Sequence, residues 1–140
     1  MNAFVRLVTT AAVAGTAGSL ANTLGINAVK SAGLKPGTGG LGTIVFGRTL
    51  PPLEAEAFHL GMGIAMATAY VIAFRDRLPG PPWMRGLLFA QIPGALQLLW
   101  VLPATGKGIG GATISSQTPL LAWSLNALYG VVLGAAAGSE

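Results

Sequence analysis

Residues 58–74 read FHLGMGIAMATAYVIAF. The stretch holds the only histidine of the chain, His59, and then runs without a charge to Phe74. At 100° per residue, His59, Gly63, Met66 and Tyr70 fall on one face of a helix, and Gly61, Ala65 and Ala69 fall roughly opposite. One helix therefore has a polar-edged side and a small-residue side. Both suit contact with other helices in lipid, where small residues let backbones approach.

The composition extends that reading to the whole chain. Of 140 residues, 52% are hydrophobic and 9% charged, against about 25% charged in soluble domains. So few charges cannot cover a water-facing surface, and a mean hydropathy of +0.66 agrees. The 21 glycines suit closely packed membrane helices. With no cysteine, disulfides, thiolate metal sites and a cysteine nucleophile are excluded. The net charge of +4 does not indicate nucleic acid, because the lysines and arginines are scattered at helix ends rather than massed on one face. They read as interfacial anchors.

Four spans follow, at about 7–29, 54–75, 83–102 and 119–137, in a single transmembrane domain over residues 1–140. The first rises roughly 34 Å, enough for a hydrocarbon core of about 30 Å. Its Ala11, Gly15, Gly18, Asn22 and Gly25 share one face. A secretory signal starting at Arg6 is the competing reading, but apolar character continues past any cleavage site such a signal would have. In the second span, Glu54 and Glu56 occupy the first turn, where the helix dipole favours them. The linker over 78–82 is short, so spans two and three should be antiparallel neighbours. Pro93 should kink the third span. In the fourth, Trp123, Asn126, Gly130 and Gly134 share a face, and Gly130 and Gly134 are spaced i, i+4.

The expected fold is an all-α integral membrane four-helix bundle with both termini on one side. Arg6, Arg75, Arg77 and Arg85 lie on the terminal side; Lys30, Lys35, Arg48 and Lys107 lie on the other. The counts balance, and the arginines crowding the shortest loop tip the reading toward cytoplasmic termini.

The connections carry two formal motifs and little chemistry. Gly37 to Gly42 matches GxGxxG, but no strand precedes it, so it reads as a flexible glycine loop. Thr43 to Phe46 is apolar enough to dip into the interface. Gly106-Lys107 resembles a phosphate loop but lacks the following Ser or Thr and the upstream glycine. No catalytic set is visible: Ser115, Ser116 and Ser124 have no partners that the sequence identifies. A single histidine with four carboxylates falls short of a metal site. Asp76 and Glu140 sit at the face opposite His59. Glu56, three residues before His59, pairs with it structurally unless the pair titrates near neutrality. His59 is also the one candidate axial ligand for a haem or chlorophyll, with Gly63 leaving room for a ring; the simpler reading is an interfacial histidine bonded to a neighbouring element, and no cofactor is expected.

Each span carries one strong hydrogen-bonding side chain: Asn22, His59, Gln97 and Asn126. Counted along their helices, all four lie within about 10 Å of the membrane face that carries the first and third loops. Unpaired polar groups in hydrocarbon cost several kcal/mol, so the four should turn inward and meet each other, a water or a headgroup. Interhelical glue is the favoured role; a shallow cavity opening past Lys107 is the functional alternative. Gly15, Gly18, Gly63, Gly130 and Gly134 are the expected packing glycines.

The order His59, Gly63 and Tyr70, then Arg85 to Phe89, then Pro103 with Gly106 and Gly108, then Tyr129, Gly130 and Gly134 resembles a domain-of-unknown-function group of small four-helix bacterial membrane proteins near the YagU-like proteins. The resemblance covers residues 55–138; Ala90 stands where a glycine is expected, and Lys107 is atypical. It implies the four-helix fold and a bacterial inner membrane, and no activity.

The expected function is a non-catalytic accessory or scaffold subunit that packs laterally against other membrane subunits or a second copy. The alternatives are an oligomeric transporter or channel and a cofactor-binding subunit using His59. Lipid is the expected environment, with no nucleic-acid partner.

Overall fold

The computed structural model describes residues 2–138. Among them are five helices and no strand. Four are long and apolar enough to cross a membrane: α1 (Ala3–Ser31), α3 (Pro52–Phe74), α4 (Pro82–Ala104) and α5 (Thr118–Ala137). The fifth, α2 (Leu41–Phe46), is short and lies in the first connection. The all-α bundle is as expected, with shifted ends. α1 begins earlier than residue 7 because the Asn2 side chain caps it, accepting from the Val5 N–H at 2.8 Å. Prolines open the other three long helices in their first turn, where a missing N–H costs nothing.

The bundle buries alanines beside large side chains such as Tyr70, Phe89, Leu102, Tyr129 and Leu133, and it leaves many other large apolar residues on its outside. Ala11, Ala14, Ala67, Ala90 and Ala122 are buried, whereas Phe4, Leu24, Ile72, Leu99, Trp100 and Leu120 are more than half exposed. In water so much exposed apolar side chain would be costly; in lipid it is the expected arrangement, because packing between helices replaces the hydrophobic effect as the driving force. The chain is built as an integral membrane protein.

Contacts run antiparallel between successive partners. Gly15 of α1 lies on Gly63 of α3, Gly25 of α1 on Leu125 of α5, and Gly86 of α4 on Gly130 and Gly134 of α5. Both ends of the described chain therefore lie on one side. The lateral order differs from the one the loop length suggested. The extensive interfaces are α1 with α3, α1 with α5, and α4 with α5. Helices α3 and α4 meet mainly near their shared turn, where the rings of Tyr70 and Phe74 lie 5.3 and 5.2 Å from that of Phe89. A short linker forces two helix ends together; it does not dictate that their whole lengths pack.

Pro93 stays inside α4 without ending it. The departure from α-geometry comes a turn later, as a wide π turn at Gln97–Val101. A second π turn, Tyr70–Phe74, closes α3, with Arg75 N–H reaching the Tyr70 carbonyl at 2.8 Å. The glycine loop is not a loose tether. It carries α2 between Gly40 and Gly47, whose φ of 108° and 65° only glycine adopts readily. Phe46 of α2 packs edge-on to Phe58, ring centres 5.6 Å apart.

Candidate functional site

The polar residues of the loop-rich face are all partly or fully buried, but they do not converge on one point. The expectation that they meet each other is corrected as follows. Asn22 donates to the Leu125 carbonyl at 2.8 Å and joins α1 to α5. Asn126 bonds within its own helix, to Ala122 at 3.0 Å. Gln97 donates to the Gly39 carbonyl at 3.3 Å, and Lys107 to that of Thr38 at 3.0 Å. Backbone carbonyls in lipid-facing protein must find donors, and these side chains supply them.

The glycine loop thus presents its carbonyls to a row of side chains. Thr118, fully buried at the start of α5, adds a third link by donating to the Lys35 carbonyl at 2.8 Å. Gly37 and Gly111 both lie against the Thr118 methyl, and Gly40 against Val101 and Thr105. The Lys107 ammonium is taken up by one carbonyl of this loop, that of Thr38. Burial pushes the Lys107 ammonium below the usual lysine range. Of the candidate serines, Ser115 lies 3.0 Å from the Thr118 hydroxyl, in the same structural knot.

His59 sits in a short chain of groups between α3 and α1. The Thr23 hydroxyl donates to Glu56 Oε1 at 2.8 Å and lies 3.4 Å from His59 Nδ1. The hydroxyl of Thr23 on α1 thus bridges Glu56 and His59 of α3. Glu56 itself is 3.9 Å from Nδ1. The room expected beside Gly63 for a macrocycle is filled. A Cβ there would fall on the Ser19 hydroxyl, so Gly63 faces α1 rather than an open space. Among the described residues no group of three or more His, Cys, Asp and Glu is placed to hold a metal. Glu140 lies outside the described residues.

The packing glycines form two locks. In the first, Gly86 and Ala90 of α4 meet Gly130 and Gly134 of α5, backbone against backbone. In the second, Gly15 and Gly18 of α1, with Ser19, receive Gly63 and the Tyr129 ring. Tyr129 passes Gly18 and donates to the Gly63 carbonyl at 2.7 Å, tying α5 to α3 across α1. The i, i+4 spacing marked Gly130 and Gly134 in the sequence. Gly86 and Ala90 share a face at the same spacing, whereas the parts played by Ser19, Thr118 and the Tyr129 hydroxyl carried no spacing signal, since what they meet is the backbone of distant elements.

One face of α3 stays outside every interface. Ala57, Gly61, Ala65 and Ala69, each four residues from the next, are all exposed, and a Cβ on Gly61 would meet nothing within 4 Å. A shallow groove on α1, lined by Ala12, Val13, Thr16, Ala17 and Leu20, is likewise open. Comparison of the chain with protein-family models, curated proteins and solved structures finds no match.

Proposed function

We propose that the protein is a non-catalytic membrane subunit that packs laterally, through α3, against a helix of another membrane chain or of a second copy. The observation that carries this reading is the exposed ridge of Ala57, Gly61, Ala65 and Ala69. Inside the bundle, α4 and α5 use the same kind of small-residue surface to bring backbones into contact. On α3 that surface has no partner among the described residues. Dispersion contacts between close backbones are the main source of helix affinity in lipid, so a bare ridge of this kind favours association. A bacterial inner membrane, and kinship with the YagU-like group, belong to the same proposal. Their support is the His59, Gly63 and Tyr70 order and the Gly130 and Gly134 pair of the last helix.

The test is purification of the tagged protein in mild detergent, alone and with Ala65→Leu. A co-purifying chain or a dimer is expected, and the leucine should remove it. Because the chain has no cysteine, Ala65→Cys should also form a disulfide or a specific cross-link through this face only. Recovery of a bare monomer, with no cross-link formed by the Ala65→Cys variant in native membranes, overturns the reading.

A further inference from the structure

The turn between α3 and α4, on the membrane face opposite the glycine loop, gathers three guanidinium groups. Arg77 Nη1 donates to the Ala73 carbonyl at 2.6 Å. Arg85 donates through Nε to Gly80 at 2.7 Å and through Nη1 to Arg75 at 3.2 Å. These bonds fix the two side chains over the end of α3 while using only some of the five N–H groups each possesses. Arg75 Nε lies 3.3 Å from Asp76 Oδ1, an ion pair whose angle does not make a hydrogen bond. Asp76 is the one carboxylate in the stretch 75–85. α4 starts here, so the positive end of its dipole adds to the field.

A second observation points to a missing partner. Tyr70 is fully buried, and its hydroxyl has no hydrogen-bond partner among the described residues. Its backbone carbonyl accepts from the Arg75 N–H at 2.8 Å, and the Arg75 carbonyl accepts from Arg85 Nη1 at 3.2 Å, so the residue belongs to the helix end that carries the cluster. Arg75 Nε is in the same position, buried and without a hydrogen bond. Buried donors are almost always satisfied. An unsatisfied buried hydroxyl at the end of α3, and one N–H of the cluster's own Arg75 that has an ion pair but no hydrogen bond, call for an acceptor with several oxygens and negative charge.

We propose that this turn binds a phosphate group, as carried by an anionic phospholipid headgroup or as the free ion, with Arg75, Arg77 and Arg85 pairing its oxygens and Tyr70 donating from below. Guanidinium groups match phosphate oxygens through paired N–H bonds, and basic pockets between membrane helices are suited to such headgroups. The site is on a different surface from the α3 ridge and does not depend on it.

The test follows thermal unfolding of the purified protein in neutral detergent as phosphatidylglycerol, phosphatidylcholine or inorganic phosphate is added, for the wild type, Arg77→Gln and Tyr70→Phe. Both variants keep the turn's size, and Arg77 is exposed, so both should fold. Phosphatidylglycerol should raise the wild-type midpoint at low salt and less so at high salt, while phosphatidylcholine does little. Each variant should lose at least half of that rise. Protection by inorganic phosphate alone identifies a free-ion site; protection by the lipid alone identifies the headgroup. Equal protection by phosphatidylcholine, no protection by either anion, or full protection of both variants overturns the proposal.

Discussion

The Tyr129 hydroxyl reaches the Gly63 carbonyl at 2.7 Å by crossing α1 at Gly18, the one residue type that leaves room for the ring. Three helices are thereby joined by one side chain. Tyr129→Phe should keep the ring packing and lose the bond, destabilising by roughly 0.6–2 kcal/mol, the usual range for an interhelical hydrogen bond in lipid. Gly18→Val should do more, since the ring has no path around a branched side chain. Thermal unfolding in detergent should rank wild type above Tyr129→Phe, and that above Gly18→Val; the reverse order of the two variants would show that the bond, not the space, dominates.

The glycines of the bundle should separate into intolerant and tolerant ones. A Cβ on Gly86 or Gly134 meets the backbone of the opposite helix, which cannot rotate away. Gly86→Ala and Gly134→Ala should therefore each cost about 1–3 kcal/mol, as overpacked cores do. Gly61→Ala enters open space and removes a poor helix former, with an expected gain of up to about 1 kcal/mol in the isolated protein. Unfolding midpoints of the three variants, measured side by side, check this directly.

Ser19 offers the converse case. Its hydroxyl is buried beside Gly63 and has no hydrogen-bond partner among the described residues. An unsatisfied buried hydroxyl costs about 1–3 kcal/mol, so Ser19→Ala should be neutral or stabilising. A clear fall in the melting temperature would show that the hydroxyl has a role in the bundle.

Lys107 sets a pH dependence. Its folded pKa lies below the ordinary 10.5, because burial disfavours the charged form. Between the folded value and 10.5 the unfolded chain binds more protons than the folded one, so stability rises with pH across that window; below it, both forms are charged and the burial penalty is present in full. As the pH rises toward 10.5, unfolding midpoints should climb more steeply for the wild type than for Lys107→Met. Parallel curves would remove Lys107 as the source.

The spans and their small faces were legible because their signals are local and periodic. Gly130 and Gly134 announce themselves at i, i+4, and a run such as residues 58–74 has no alternative to a helix. Depth was legible too: Asn22, Gln97 and Lys107 do lie toward the loop-rich face. What each would bond to was not. Gln97 and Lys107 end on the carbonyls of Gly39 and Thr38, and a carbonyl looks the same at every position of a sequence. The lateral order escaped for a related reason. Loop length constrains two ends, whereas the choice of α5 as the partner of both α1 and α4 is made by surfaces that match only in three dimensions. The π turns at Tyr70–Phe74 and Gln97–Val101 leave no periodic mark at all.

That lateral order has a consequence for biosynthesis. α5 supplies the contact surface for both α1 and α4, and it leaves the ribosome after both of them. Until it arrives, Gly18 lacks the Tyr129 ring and Gly86 lacks Gly130 and Gly134. α1 and α3 can pair early, but α4 must wait in the bilayer with its backbone-contact surface bare. A ribosome stalled before Thr118 would therefore leave a half-assembled bundle, with α4 bare along the surface that Gly130 and Gly134 later cover.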